Sequence, residues 1–204
     1  MSPRVDSLDA EAICAALAGR LIGKEVLVLE ETTSTNDFVA QLAPQHAEGL
    51  VVVAERQTAG RGQYGRRWES TRGKGLWLSI LLRPGISVAE SSRLTDLLAR
   101  EISETITAKI GLSAAIKPPN DVYVDGRKVA GVLVEMRVET SGGYCAVAGL
   151  GINVNHSAND FPVELQKTAG SLAMAAGQPV DRAAFTIALL QTLDDAYRGF
   201  LRAR

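Results

Sequence analysis

Between Asp181 and Leu201, apolar side chains recur at Phe185, Leu189, Leu193, Ala196 and Phe200. Steps of three and four residues mark one face of an α-helix. The same period runs from Val88 to Ile110 through Leu94, Leu97, Leu98, Ile102 and Ile106, and Gly111 is suited to close that helix. A further amphipathic helix is predicted over 9–22, and a short one over Asn36–Leu42 with Ser34 or Thr35 as its N-cap. Elsewhere the apolar residues run together. Val26–Leu29, Leu50–Ala54, Leu76–Arg83 and Tyr144–Leu150 read as strands, rich in β-branched residues and leucine. Asp125-Gly126 between Val124 and Arg127 predicts a tight hairpin, and Ser141-Gly142-Gly143 a second turn. About six strands, several in consecutive hairpins and interspersed with helices, predict an α+β fold. Its sheet is mixed and mostly antiparallel, packed with helices in one domain over 1–204.

Composition narrows the function classes. The chain has 204 residues, 46% hydrophobic and 22% charged, with a net charge of −1. A near-neutral surface offers no global field for nucleic acid or membrane, and no apolar run reaches the roughly 20 residues of a membrane span. The first residues lack the basic and apolar regions of a secretory signal, which predicts a cytoplasmic protein. Cys14 and Cys145 are far apart in sequence, and His46 and His156 have no ligand-spaced partners, so neither a disulfide scaffold nor a metal site is expected.

The candidate chemistry concentrates in a few windows. Arg56–Lys74 holds six basic residues against one acidic residue, Glu69, together with four glycines. Backbone N–H groups freed by glycine, mixed with guanidinium groups, suit an anion such as a carboxylate or phosphate. Gly60-x-Gly62-x-x-Gly65 mimics a dinucleotide fingerprint but lacks the strand before and helix after it. A solvated basic loop, or an RNA surface with Tyr64 and Trp68 as stacking platforms, is also compatible with this window. In Lys117-Pro118-Pro119-Asn120-Asp121 the prolines exclude helix and pin Lys117 at the end of an extended segment, as a point charge or a surface lysine. Gly131 inside a strand marks either a close approach or a bulge. Gly149–Asn155 suits a turn or a polar pocket wall. Ser34-Thr35-Asn36 is either a helix cap or a donor–acceptor set for a small amide or ureido group.

In this order, TTSTND (32–37), AERQTAGRGQYGRRWES (54–70), KPPND (117–121), GRKVAGVLVE (126–135) and GLGINVN (149–155) resemble the biotin–protein ligases. The resemblance implies the catalytic fold that this family shares with class II aminoacyl-tRNA synthetases. It also implies activation of biotin by ATP, with Mg²⁺ present, to biotinyl-5′-AMP, then transfer to a lysine of a biotin carboxyl carrier protein. By motif match, Ser34, Thr35, Asn36 and Gln57 hold the biotin head, and Arg61, Gly62 and Gln63 close over it. Lys117 meets the carboxylate and α-phosphate, and it and Arg61 are the catalytic residues. Arg66, Asn120, Gly131 and Asn153 lie on the ATP side. The chain departs from the pattern at Gln63, where relatives often carry Arg, and at Pro118, where they carry Trp. The resemblance further implies a short form without the N-terminal DNA-binding domain or the C-terminal β-domain, hence no nucleic-acid partner. Its edge strands offer a surface for a homodimer. A lipoate or octanoyl ligase of the same fold and a non-catalytic biotin-binding protein are the alternatives.

Overall fold

Strands β2 (Leu50–Ala54) and β3 (Gly75–Leu82) are apolar at almost every position and buried throughout. Uninterrupted apolar strands need cover on both faces. In a computed structural model of the chain, which describes residues 8–140 and 142–203, that cover comes from helices on one face and from a helix and loops on the other. β1 (Glu25–Leu29), β4 (Ala114–Lys117), β5 (Asp121–Val124), β6 (Arg127–Val138) and β7 (Tyr144–Asn153) complete a sheet of order β1-β2-β3-β7-β6-β5-β4. Only the β1–β2 pair is parallel, its crossover being α2 (Thr35–Leu42); the other pairs are antiparallel.

Alternation along the strands separates the two faces. Leu76, Leu78, Ile80 and Leu82 of β3 join Ala146, Ala148, Leu150 and Ile152 of β7 in the large core, under α3 (Ser91–Ile110) and α5 (Arg182–Arg202). On the other face Val39 of α2 packs with Val52, Leu81 and Val147. α2 covers only part of that face, and the candidate site occupies the rest.

Several predicted elements shift at their ends. The first helix, α1, spans only Ala10–Ala16. The chain then turns through Gly19, whose φ of 79° no regular helix allows, although Leu17 and Ile22 remain buried. The long central helix opens as a 3-10 turn at Val88–Glu90, closed by reciprocal bonds between Ser87 and Glu90, and ends at left-handed Gly111. β4 and the five-residue α4 (Leu172–Ala176) were too short to carry a period. Asp125 and Gly126 both take positive φ, 50° and 73°, as the hairpin demands. Gly142 and Gly143 also have positive φ, while Ser141 lies outside the described residues. No helix among the described residues is long and apolar enough to cross a membrane.

Candidate active site

The floor of the site is a strip of sheet with almost no side chains. Trp77, Gly151, Gly131, Asp121 and Lys117 are paired in register across β3, β7, β6, β5 and β4. Directly paired residues share a face, so the glycines leave a shelf between the tryptophan and the two charged residues. The neighbouring row, Ser79, Gly149 and Leu133, repeats the pattern. The indole of Trp68 lies on this shelf: a Cβ on Gly131 or Gly151 would come within 2.9 and 2.6 Å of it. Both readings of the Gly131 segment are therefore realised. The close approach is at Gly131, and a bulge lies just before it, where Val122 pairs with Ala130 but Tyr123 with Lys128. The extra residue, Val129, turns Lys128 onto the shelf face, where an unbroken strand would point it away. There its Nζ lies 2.5 Å from Asp121 Oδ1 and 5.2 Å from the Trp68 ring.

One end of the site is a neutral polar network at the start of α2. Ser34 occupies the N-cap position, yet its hydroxyl makes no capping bond. Gln57 does that work instead, its Oε1 accepting the Thr35 N–H at 2.8 Å. Ser79 Oγ sits 2.7 Å from Thr35 Oγ1 and 2.6 Å from Asn36 Oδ1, and Asn36 Nδ2 donates to Glu135 Oε2 at 2.7 Å. All of Ser34, Thr35 and Asn36 are buried. Asn36 is thus held from both ends with its amide orientation defined.

The glycine-rich loop covers this network. Gly62 N–H donates to Arg66 O at 2.7 Å, and Trp68 N–H to Gly60 O at 2.9 Å. Gln63 opens a short 3-10 turn in which Tyr64 has φ 59° and an exposed side chain. Arg61 is paired with Asp37 through two bonds of 2.6 and 2.7 Å, with Glu135 3.6 Å away. Hydrogen bonding from Arg61 holds the Asp37 carboxyl below its ordinary range, and the same bonds raise the Arg61 pKa.

At the opposite edge, Lys117 ends β4 with its Nζ 5.5 Å from the Tyr123 ring. Among the described residues neither Lys117 nor Arg66 has a carboxylate partner. Asn120 Nδ2 donates to Val132 O at 2.8 Å and Asn153 Nδ2 to Gly170 O at 3.0 Å, so both amides tie down neighbouring backbone. A single cavity of about 480 Å³ is lined by Ser34, Thr35, Asn36, Gln57, Arg61, Gly62, Gln63, Arg66, Lys117, Asn120, Gly131 and Asn153. The structure brings together every position singled out from the sequence. Lys128 lines the same cavity, and Asp37, Ser79 and Glu135 hold lining residues in place through Arg61, Thr35 and Asn36. A lone serine inside the apolar run LWLSILL, and a glutamate in phase with Gly131 and Leu133, were the available sequence signs of two of these.

Residues 28–153 match the profile of the biotin/lipoate A/B protein ligase family. The bifunctional ligase/repressor BirA of Bacillus spizizenii is 37% identical over 195 residues, which cover 95% of this chain and 60% of that protein. The biotin–[acetyl-CoA-carboxylase] ligase of Mycobacterium tuberculosis is 31% identical over 92% of this chain and 70% of its own length. The biotin protein ligase of Aquifex aeolicus, solved in complex with biotin and ATP, superposes with a TM-score of 0.76 at 30% identity, covering 88% of this chain and 72% of that one. The chain spans about 60% of the length of the two Bacillus relatives. With a matching profile across the sheet that builds the cavity, and relatives of this similarity, the chain belongs to the biotin/lipoate A/B protein ligase family.

Proposed function

We propose that the chain activates biotin with ATP and passes the biotinyl group to a lysine of a biotin carboxyl carrier protein. The observation that carries this reading is the polarity of the cavity. At one end the Thr35–Asn36–Ser79–Gln57 network, buried except at Gln57, offers neutral donors and acceptors of the kind a ureido ring requires. Away from it lie Lys117 and Arg66, which have no carboxylate partner among the described residues and face the same cavity. A ligand with a neutral head and an anionic tail therefore has one favourable orientation.

In this reading Ser34, Thr35, Asn36 and Gln57 bind the biotin head, while Arg61, Gly62 and Gln63 cover it. A carboxylate oxygen of biotin attacks the α-phosphorus of ATP, the bond to the bridging oxygen breaks, and pyrophosphate leaves. Charge grows on the non-bridging oxygens, and the Lys117 ammonium meets it; positioning and positive charge suffice, with no protein nucleophile. The carrier lysine amine then attacks the acyl carbon, AMP departs, and the amine loses its proton. Arg66, Asn120, Gly131 and Asn153 form the nucleotide side. The Trp68 ring, resting on glycine, adds a flat surface there.

Mg²⁺ enters this proposal as the partner of the ATP phosphates, whose charge it neutralises. The side chains do not fit a resident site. No three His, Cys, Asp or Glu residues gather among the described residues, and Asp37, Glu135 and Asp121 are engaged with Arg61, Asn36 and Lys128. Incubating the chain with biotin, ATP, Mg²⁺ and an isolated carrier domain, followed by intact-mass measurement, tests the reading. One added biotinyl group is expected. Lipoylation in preference to biotinylation, or no biotin-dependent release of pyrophosphate, would overturn it.

A further inference from the structure

Arg61 enters the family resemblance as a cation facing the ligand, but its charge is already answered. Both terminal nitrogens bond Asp37, at 2.6 and 2.7 Å, and Nη2 also lies 3.6 Å from Glu135 Oε1. Two parallel charge-assisted bonds fix the guanidinium plane as well as its position. Turning Arg61 toward an anion in the cavity would break both bonds and leave Asp37 without its cation. The two carboxylates stand on different elements. Asp37 is in the first turn of α2, immediately after the buried Asn36. Glu135 is on β6, on the face that carries Gly131 and Leu133, and its other oxygen holds the Asn36 amide. Arg61 thus joins the glycine-rich loop to α2 and to the sheet at one point. The start of the loop is also tied to the segment before α2, Thr58 N–H donating to Thr32 O and Ala59 N–H to Thr33 O, whereas the backbone bonds from Gly62 to Arg66 and from Trp68 to Gly60 lie within it.

We propose that Asp37 and Glu135 are positioning residues, a two-carboxylate clamp that grips Arg61 and so holds the glycine-rich loop over the cavity and over the biotin-head network. Arg61 is the pin of this clamp. The inference rests on the proposed reaction only for what the loop covers; the clamp itself requires no ligand. It also assigns the anion-facing work to Lys117 and Arg66. Among the described residues Arg137, 3.9 Å from Glu135, is a further cation that competes for the clamp.

Hydrogen exchange of the ligand-free protein is the direct test, read at the Gly62, Arg66 and Trp68 amides with the β3 amides as internal control. Half-exposed pairs with bidentate geometry hold a segment closed by a modest factor, so Asp37→Asn is expected to speed loop exchange about 3- to 10-fold with β3 unchanged. Glu135→Gln acts in the same direction, Asp37→Glu retains most of the protection, and the swap of Asp37→Arg with Arg61→Asp restores part of it. In turnover, the activated intermediate is expected to leave Asp37→Asn faster by the same factor. Loop exchange at the wild-type rate in Asp37→Asn, or exchange that rises equally in β3, would overturn the clamp. Absence of biotin-dependent pyrophosphate release from the wild type overturns the proposed reaction instead and leaves the exchange result standing.

Discussion

Lys117 is the residue on which the proposed chemistry depends most. It is exposed at the end of β4 and held by flanking strand and proline, so its removal leaves the core untouched. Lys117→Ala is expected to lower biotin-dependent pyrophosphate release by about 10²- to 10³-fold, the usual loss for one preorganised charge stabiliser, with an unchanged melting temperature. Wild-type turnover would remove Lys117 from the mechanism. Gly149 makes the opposite kind of demand. A Cβ there would lie 2.2 Å from Asn36 Oδ1, and Asn36 is held by Ser79 and Glu135, so it cannot swing away cheaply. Gly149→Ala is expected to cost about 1–3 kcal/mol and to weaken biotin binding about 10-fold or more, which calorimetric titration would measure.

His156 carries a pH dependence. It is buried against Trp77 and stacked 4.9 Å from Phe161, and desolvation brings its pKa down to about 4, with Asp160 opposing and Lys74 assisting. An unfolded chain takes up that proton below about 6.5, whereas the folded imidazole resists until about 4. Stability present above pH 6.5 is therefore lost as the pH falls toward 4, by about 2 kcal/mol at pH 5. Thermal melts at pH 7 and pH 5 would reveal this. His156→Phe is expected to show a smaller difference between them, and an equal difference would assign the loss to other groups.

At the scale of elements, long periods were legible and short ones were not. The stretches 88–110 and 181–201 each repeat an apolar face over five or more turns, enough to outweigh local exceptions. The hairpin at Asp125-Gly126 was legible for a different reason, since few residue pairs tolerate two positive φ values in succession. The first helix failed at Gly19 because apolar residues beyond it reach the core through a turn. Four residues, Ala114–Lys117, cannot establish a strand period by themselves. Nor could alternation counting have oriented Lys128, because a single bulge residue inverts the phase of everything on one side of it.

Across the whole molecule, one buried ion pair ties the C-terminal helix to the strand that leads into the glycine-rich loop. Arg182, fully buried at the start of α5, bonds Glu55 at 2.9 and 3.1 Å and the Gly75 carbonyl at 3.0 Å. Removing one partner strands the other charge, which typically costs about 3–5 kcal/mol. Arg182→Met is expected to lose about that much in urea unfolding, and adding Glu55→Leu to recover a good part of it. If the double variant were no more stable than the single one, the pair would be contributing through its other hydrogen bonds.

Local chemistry in the sequence determined a good deal. Apolar period and apolar runs marked the main helices and strands, glycine and proline marked the turns, and a basic glycine-rich window with a proline-pinned lysine marked residues that line the cavity. Each of these rests on interactions among near neighbours, which a linear string displays. Tertiary structure decided what long-range register controls. It aligned Gly131 and Gly151 from separate strands into one shelf, turned Lys128 onto it by a bulge, and set Asp37 and Glu135 against Arg61. Those contacts join residues 24 and 74 positions apart, or depend on the register that neighbouring strands adopt. Side-chain types alone carry no record of such distances.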